Sequence, residues 1–233
     1  MRKNLAVLFL ALVFMAAGAI LAGTAKAALI DNGNNLIYDT ALNITWYDPA
    51  PTVMTWNMAN TWAAGLTVGG TTAGTWTLPT TLPVNGSTYN YNWSYNGSTD
   101  VGYNISAPGS AYPGSTANQM AYLFYVELGN KGYYNVNGNV QSGWGLVNKG
   151  PLTNLQPVLY WSGTEYAPDT SGAWGFGFVD GGQYNYYKGN DLYALAVHSG
   201  DVGAPVPIPG AILLFAPGLA GIAALKRRIG RRG

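Results

Sequence analysis

Two uncharged apolar runs, at residues 5–23 and 211–225, bracket the chain and confine its folding to the stretch between them. The first follows Arg2 and Lys3 and ends at Ala25-Lys26-Ala27, whose small residues at the −3 and −1 positions predict signal-peptide cleavage before Ala28. Around the second run no charged residue occurs over the 24 positions from Val202 to Leu225. As a helix that stretch is long enough to span a hydrocarbon core of about 30 Å. The basic tail after it carries Lys226, Arg227, Arg228, Arg231 and Arg232, which favour the cytoplasmic side of a membrane. The expected organisation is a signal peptide (1–27), an exported domain (28–201), a proline-rich linker (202–210), a transmembrane segment (211–225) and a basic tail (226–233).

Charge then narrows the partners of the middle. All 10 acidic residues fall between Asp31 and Asp201, whereas only Lys131, Lys149 and Lys188 supply positive charge there, so the domain carries a net charge of −7. Nucleic acid is a poor partner for such a surface. Excess carboxylates invite cations, yet no twelve-residue calcium loop is present, so calcium has no motif behind it and no cofactor is expected. The chain has 0 cysteines and 1 histidine, His198. Disulfides, thiol nucleophiles and clustered His/Cys metal sites are thereby excluded, and a serine triad would have to draw on a histidine that sits in a terminal strand. No glycine-rich phosphate loop is present either. Paired carboxylates are the remaining catalytic option, with Glu165 and Asp180 as the first pair and Asp169 or Asp191 as additions; a glycosidase would need them roughly 5–9 Å apart.

Periodicity predicts a mixed α+β body. Short strands are expected at 36–39, 42–47, 76–80, 158–162, 174–178 and 193–198, with a turn at Asp180-Gly181-Gly182. One helix is expected from a Thr55 cap to Leu66, with Met58, Ala59, Trp62, Ala63 and Leu66 on its apolar face. A second is expected over 116–128, capped by Ser115-Thr116. Between them lies an Asn/Gly/Ser/Tyr-rich insert, 83–113, in which Tyr89, Tyr91, Trp93 and Tyr95 alternate with polar residues. An extended segment places all four rings on one face, which is either half-buried core or a surface on which sugar rings stack. In 174–178, Trp174, Phe176 and Phe178 share a parity with Gly175 and Gly177 opposite, so the glycine face must admit close neighbours.

The C-terminal arrangement of Val206-Pro207-Ile208-Pro209-Gly210, apolar run and basic tail resembles the PEP-CTERM sorting signal, with Ile208 where that family usually has Glu. The resemblance implies an exosortase-type protease as partner, transient membrane anchoring, and release to the outer surface or exterior of a Gram-negative bacterium. The middle resembles the family of unknown function numbered 1566, the Lcl C-terminal domain, through Leu42-Asn43-Ile44-Thr45-Trp46, the helix over 54–66, Trp76-Thr77-Leu78-Pro79, Tyr160-Trp161-Ser162-Gly163-Thr164, the segment 173–183 and the closing 193–200. That resemblance implies a single C-type-lectin-like domain with two helices and short antiparallel strands, followed by the transmembrane helix, and no established catalytic residues. The functional expectation is a non-catalytic surface or extracellular-matrix protein that contacts exopolysaccharide or matrix proteins. A discrete carbohydrate-binding module using Tyr89, Tyr91, Trp93 and Tyr95 is the alternative, and a glycoside hydrolase a third.

Overall fold

The computed structural model describes residues 28–203. In chain order the elements are β1 (Leu29–Asp31), β2 (Leu36–Asp39), β3 (Ile44–Tyr47), β4 (Val53–Met54), α1 (Trp56–Gly65), β5 (Trp76–Thr77), β6 (Trp93–Ser94), β7 (Val101–Gly102), α2 (Gln119–Tyr122, continued by a π-turn over Leu123–Glu127), β8 (Leu159–Glu165), β9 (Gly172–Gly177), β10 (Gln183–Tyr187), β11 (Leu192–Tyr193) and β12 (Ala196–Ser199). They form two sheets. The first has the order β1-β2-β3-β12-β5, and all its pairs are antiparallel; the second runs β4-β11-β8-β9-β10-β7-β6.

The second sheet is mixed, which corrects the expected C-type-lectin-like domain of short antiparallel strands to an α+β fold with two helices and a large mixed sheet. Here β11 lies parallel to β8, and β6 parallel to β7. Parallel neighbours ordinarily need a crossover of a dozen or more residues. Only Tyr95–Asp100 separates β6 from β7, and the return is possible because each strand has two residues and the backbones touch. Gly102, at φ +119°, has its Cβ position occupied by the Ser94 carbonyl oxygen, and Gly97, at φ +67°, by that of Asn104. Neither position admits a side chain. The expected strand over 193–198 also divides in two: β11 belongs to the second sheet and β12 to the first, so this short stretch ties the sheets together.

Both helices differ in detail from their sequence patterns. α1 buries Ala59 and Ala63, but Met58, expected on the apolar face, is 60% exposed. Thr55 does occupy the position before the helix, without a capping side-chain hydrogen bond. The second segment is one α-turn followed by a π-turn, in which the Leu128 N–H reaches the Leu123 carbonyl. Asn118, not Ser115-Thr116, precedes it, and the Ser115 hydroxyl donates instead to the Val84 carbonyl.

Among the described residues no helix is long and apolar enough to cross a membrane. The longest is α1, whose ten residues cover about 15 Å where a span needs about twenty residues. This overturns the closing transmembrane helix as part of the described fold, together with the expectations built on it: the membrane as partner, an exosortase-type protease, and localisation by way of a transient anchor. The segments on which those expectations rest, 1–27 and 204–233, including Val206, Pro207, Ile208, Pro209 and Gly210, lie outside the described residues.

The core falls into two apolar clusters. One gathers Ile37, Trp46, Leu123, Phe124, Phe176 and Phe178 between the second helical segment and the sheets; the other packs α1 through Ala59 and Ala63 onto Trp76, Trp161 and Leu192. Trp174, Phe176 and Phe178 are fully buried, and the glycine face beside them is as crowded as the pattern requires, since the Tyr186 ring lies against Gly175.

Candidate functional site

The site is assembled around Asp100, the one charged residue in the insert 83–113. Its carboxylate is fully buried and accepts from the Val84 N–H and the Asn90 N–H, each at 2.7 Å. Its own N–H returns to the Asn90 carbonyl at 2.9 Å, and its carbonyl accepts from the buried Gln183 amide on β10 at 2.9 Å. One side chain thus fastens both ends of the stretch leading into the aromatic segment and ties it to the sheet. Burial raises the Asp100 carboxyl above its ordinary range, against the two N–H donors that lower it.

From this anchor the alternating rings divide into two groups. Tyr89 and Tyr91 lie stacked at 5.7 Å, both stack on the buried Trp174 of β9, and Tyr166 meets Tyr91 and Trp174 edge-on. Tyr89 is half-buried and donates its hydroxyl to the Thr81 carbonyl at 2.8 Å. Trp93 and Tyr95 form the second group with Tyr103, Tyr134 and Tyr184, at centroid separations from 4.9 to 6.5 Å. Tyr91, Trp93 and Tyr95 are 37%, 48% and 37% exposed. The four rings do not share one face: Tyr184 pairs with Gly175 and Trp174 with Asn185, so Tyr89 and Tyr91 lie on the Trp174 side of the sheet and Trp93 packs on the Tyr184 side, with exposed Asn90, Asn92 and Asn96 between and beside the rings.

The base of the second group is electrically quiet. Tyr103 donates to Asp180 Oδ2 at 3.0 Å and is hydrogen-bonded to Tyr184. Burial pushes the Tyr103 phenol up to about 12, with Asp180 adding to the effect, and pushes the Tyr184 phenol upward as well. Both stay neutral across the ordinary pH range, so what this base presents is apolar ring surface with hydroxyl tips.

The carboxylates expected to pair are kept apart. Glu165 ends β8 opposite Ala173, whereas Asp180 lies in the turn beyond Gly177, which pairs with Leu159 at the other end of the same ladder. Four residue steps of about 3.3 Å along β9, from Ala173 to Gly177, put them roughly 13 Å apart along the strands. Each also has its own partner: Glu165 forms an ion pair with Lys188, whose ammonium stands 4.3 Å from the Trp56 ring centre, and Asp180 holds Tyr103 and the Gly182 N–H. Asp169 is hydrogen-bonded to Ser171, and Asp191 is exposed. His198 lies on β12 beside Trp76 with Nδ1 2.6 Å from the Ser199 carbonyl. Among the described residues no group of three or more His, Cys, Asp or Glu converges on a metal position.

Sequence reasoning missed the carboxylates that organise the fold. Asp39, Asp48 and Asp100 are all buried, and each accepts backbone N–H donors. For Asp100 a signal did exist, a single charge in an otherwise uncharged stretch of 31 residues, 83–113. Tyr134, Tyr166 and Tyr184 are distant in sequence from the alternating segment, and no spacing links them to it, whereas Tyr103 follows it within the same insert. No family model, no curated protein and no solved structure matches this chain.

Proposed function

We propose that this protein is a non-catalytic glycan-contacting module whose binding surface is the exposed ring pair Trp93 and Tyr95. The observation that carries the reading is their solvent exposure on a segment fastened by Asp100: both rings remain in water although Tyr103 of the same insert, against which they pack, is buried. Ring faces held rigidly offer the C–H faces of sugars a contact that costs little side-chain ordering, and the flanking asparagines supply both donors and acceptors for hydroxyls. Neutral phenols beneath the surface suit an uncharged polysaccharide.

Affinity electrophoresis of the full chain through gels containing different neutral and acidic polysaccharides tests the proposal, with product detection run alongside. At least one neutral polysaccharide retards the wild-type chain without being cleaved, and Trp93→Ala relieves the retardation about tenfold in apparent Kd. Equal retardation of wild type and Trp93→Ala, or release of cleavage products, overturns the reading.

A further inference from the structure

A cavity of about 350 Å³ opens next to the second ring group, with Asn104, Pro108, Lys131, Asn135, Val136 and Gln141 on its wall. Its volume lies at the lower end of the roughly 300–1,000 Å³ of small-molecule sites. The side chains on this wall are committed unevenly. Asn104 is only 5% exposed and spends both N–H donors of its amide inside the protein, on the Tyr95 carbonyl at 2.7 Å and the Tyr134 carbonyl at 2.9 Å. Its Oδ1 has no partner among the described residues. Gln141 repeats the pattern: Nε2 donates to the Gly132 carbonyl at 2.8 Å and the Tyr134 carbonyl at 3.3 Å, leaving Oε1 unused. Asn135 is the reverse, because its Oδ1 accepts from the Asn137 and Asn139 N–H groups and its NH₂ stays uncommitted.

Two amide oxygens without a protein donor can accept from a ligand that brings O–H or N–H groups, whereas an acceptor-only anion cannot bond to them. One amide donor and Lys131 complement the oxygens of the same ligand, and Pro108 and Val136 add apolar wall for C–H groups. A compact molecule with hydroxyls around an apolar ring meets all of these conditions. The cavity also adjoins the proposed surface through covalent neighbours: Tyr134 belongs to the ring group, Asn135 and Val136 follow it directly, and Asn104 holds the Tyr95 and Tyr134 backbones together.

We propose that this cavity receives one neutral pyranose unit, bound through hydroxyl donation to Asn104 Oδ1 and Gln141 Oε1, while neighbouring units of the same glycan lie on Trp93 and Tyr95. The proposal rests on the glycan reading of the ring surface and adds to it a subsite with its own chemistry.

The test is titration of the full chain with methyl glycosides of neutral hexoses and, separately, with sulfate, an acceptor-only anion, followed through the side-chain amide NMR signals of Asn104, Gln141 and Asn135. A neutral glycoside is expected to shift these three amides saturably, with sulfate at least about fivefold weaker. Val136→Trp fills the cavity without removing a hydrogen bond and is expected to weaken the monosaccharide at least about tenfold, while Tyr187→Ala, at an exposed ring outside both the cavity and the ring group, leaves it within about twofold. Should Val136→Trp fail to fold, Lys131→Ala serves as the second variant, with an expected loss of about threefold or more. The cavity proposal is overturned if no glycoside shifts the three amides, if sulfate binds more tightly than the neutral sugars, if Val136→Trp folds and binds as wild type, or if Val136→Trp fails to fold and Lys131→Ala binds as wild type. Polysaccharide binding that survives Val136→Trp unchanged but is lost in Trp93→Ala overturns the cavity alone and leaves the ring surface standing.

Discussion

Strand β9 and the segment from Tyr89 to Tyr95 carry the same pattern, a large ring at every second position, and end in opposite environments. Trp174, Phe176 and Phe178 are wholly buried, whereas Tyr91, Trp93 and Tyr95 are more than a third exposed. The intervening residues and the neighbouring strands account for the difference. In β9 the alternate positions are Gly175 and Gly177, which let the Tyr186 ring and the Leu159 side chain close over one face, and the strand lies between β8 and β10. In the insert the alternate positions are Asn90, Asn92 and Ser94, and β6 is the edge of its sheet. Alternation identifies a face; the company on both sides decides whether that face is covered.

The largest effects should separate these two segments. Phe176→Ala, in the cavity-sensitive centre of the larger core cluster, is expected to cost about 3–5 kcal/mol in denaturant unfolding. Trp93→Ala is expected to cost no more than about 1 kcal/mol, its consequence being the loss of glycan retention. Comparable destabilisation by the two would mean that Trp93 is a core residue, and the contrast would collapse.

The next effect sharpens the role of the anchor. Asp100→Ala leaves the Val84 and Asn90 N–H groups without their acceptor, and an expected loss of about 2–3 kcal/mol follows. Because the insert is then released, polysaccharide retention should fall along with stability. Asp100→Asn keeps one acceptor oxygen and should restore part of both. Retention unchanged in a folded Asp100→Ala chain would show that the ring surface needs no fastening.

How far the sequence made these regions legible follows from the range of the forces involved. Strand β2, the parity of β9 and the turn at Asp180-Gly181-Gly182 were readable because each rests on local pattern and turn chemistry. The ring segment was readable as an alternation, but the parting of its rings to two sides of the sheet was not, because that depends on Tyr134, Tyr166, Trp174 and Tyr184 arriving from elsewhere in the chain. The parallel pairing of β6 with β7 is local, yet it was invisible because it depends on backbone contact at Gly97 and Gly102 and not on a side-chain pattern. The membrane-spanning helix was inferred from hydropathy alone, and no helix of the described fold is of that kind.

Buried carboxylates supply a third comparison, between the core and the insert at different pH. Burial raises Asp48 to about 6, against the Asn154 N–H that lowers it, and burial together with the neighbouring Asp39 raises Glu127 to about 7. Both therefore hold protons more tightly in the folded chain than in the unfolded one. Their contribution favours the folded state at low pH and is lost as pH rises, for Asp48 from about 4 to about 6 and for Glu127 up to about 7. Thermal unfolding is expected to show the chain more stable near pH 5 than near pH 7.5, by on the order of 1–2 kcal/mol. Asp48→Asn should flatten the lower part of this slope. A profile that rises with pH through the same window would show that Asp48 and Glu127 do not govern it.

The smallest expected effect asks whether exposure by itself explains the binding surface. Tyr187, at the end of β10, is 64% exposed, more than any ring of the insert, yet it takes part in no ring pair among the described residues. If sugar contact needs only accessible tyrosine, Tyr187→Ala should weaken polysaccharide retention as Trp93→Ala does. If contact needs rings held rigid by their neighbours, Tyr187→Ala should leave retention within about twofold and stability within about 0.5 kcal/mol. The second outcome is expected, because a lone exposed side chain must surrender its rotamer freedom on binding. Tyr91, Trp93 and Tyr95 have already given up much of theirs to ring packing and to the insert that Asp100 fastens.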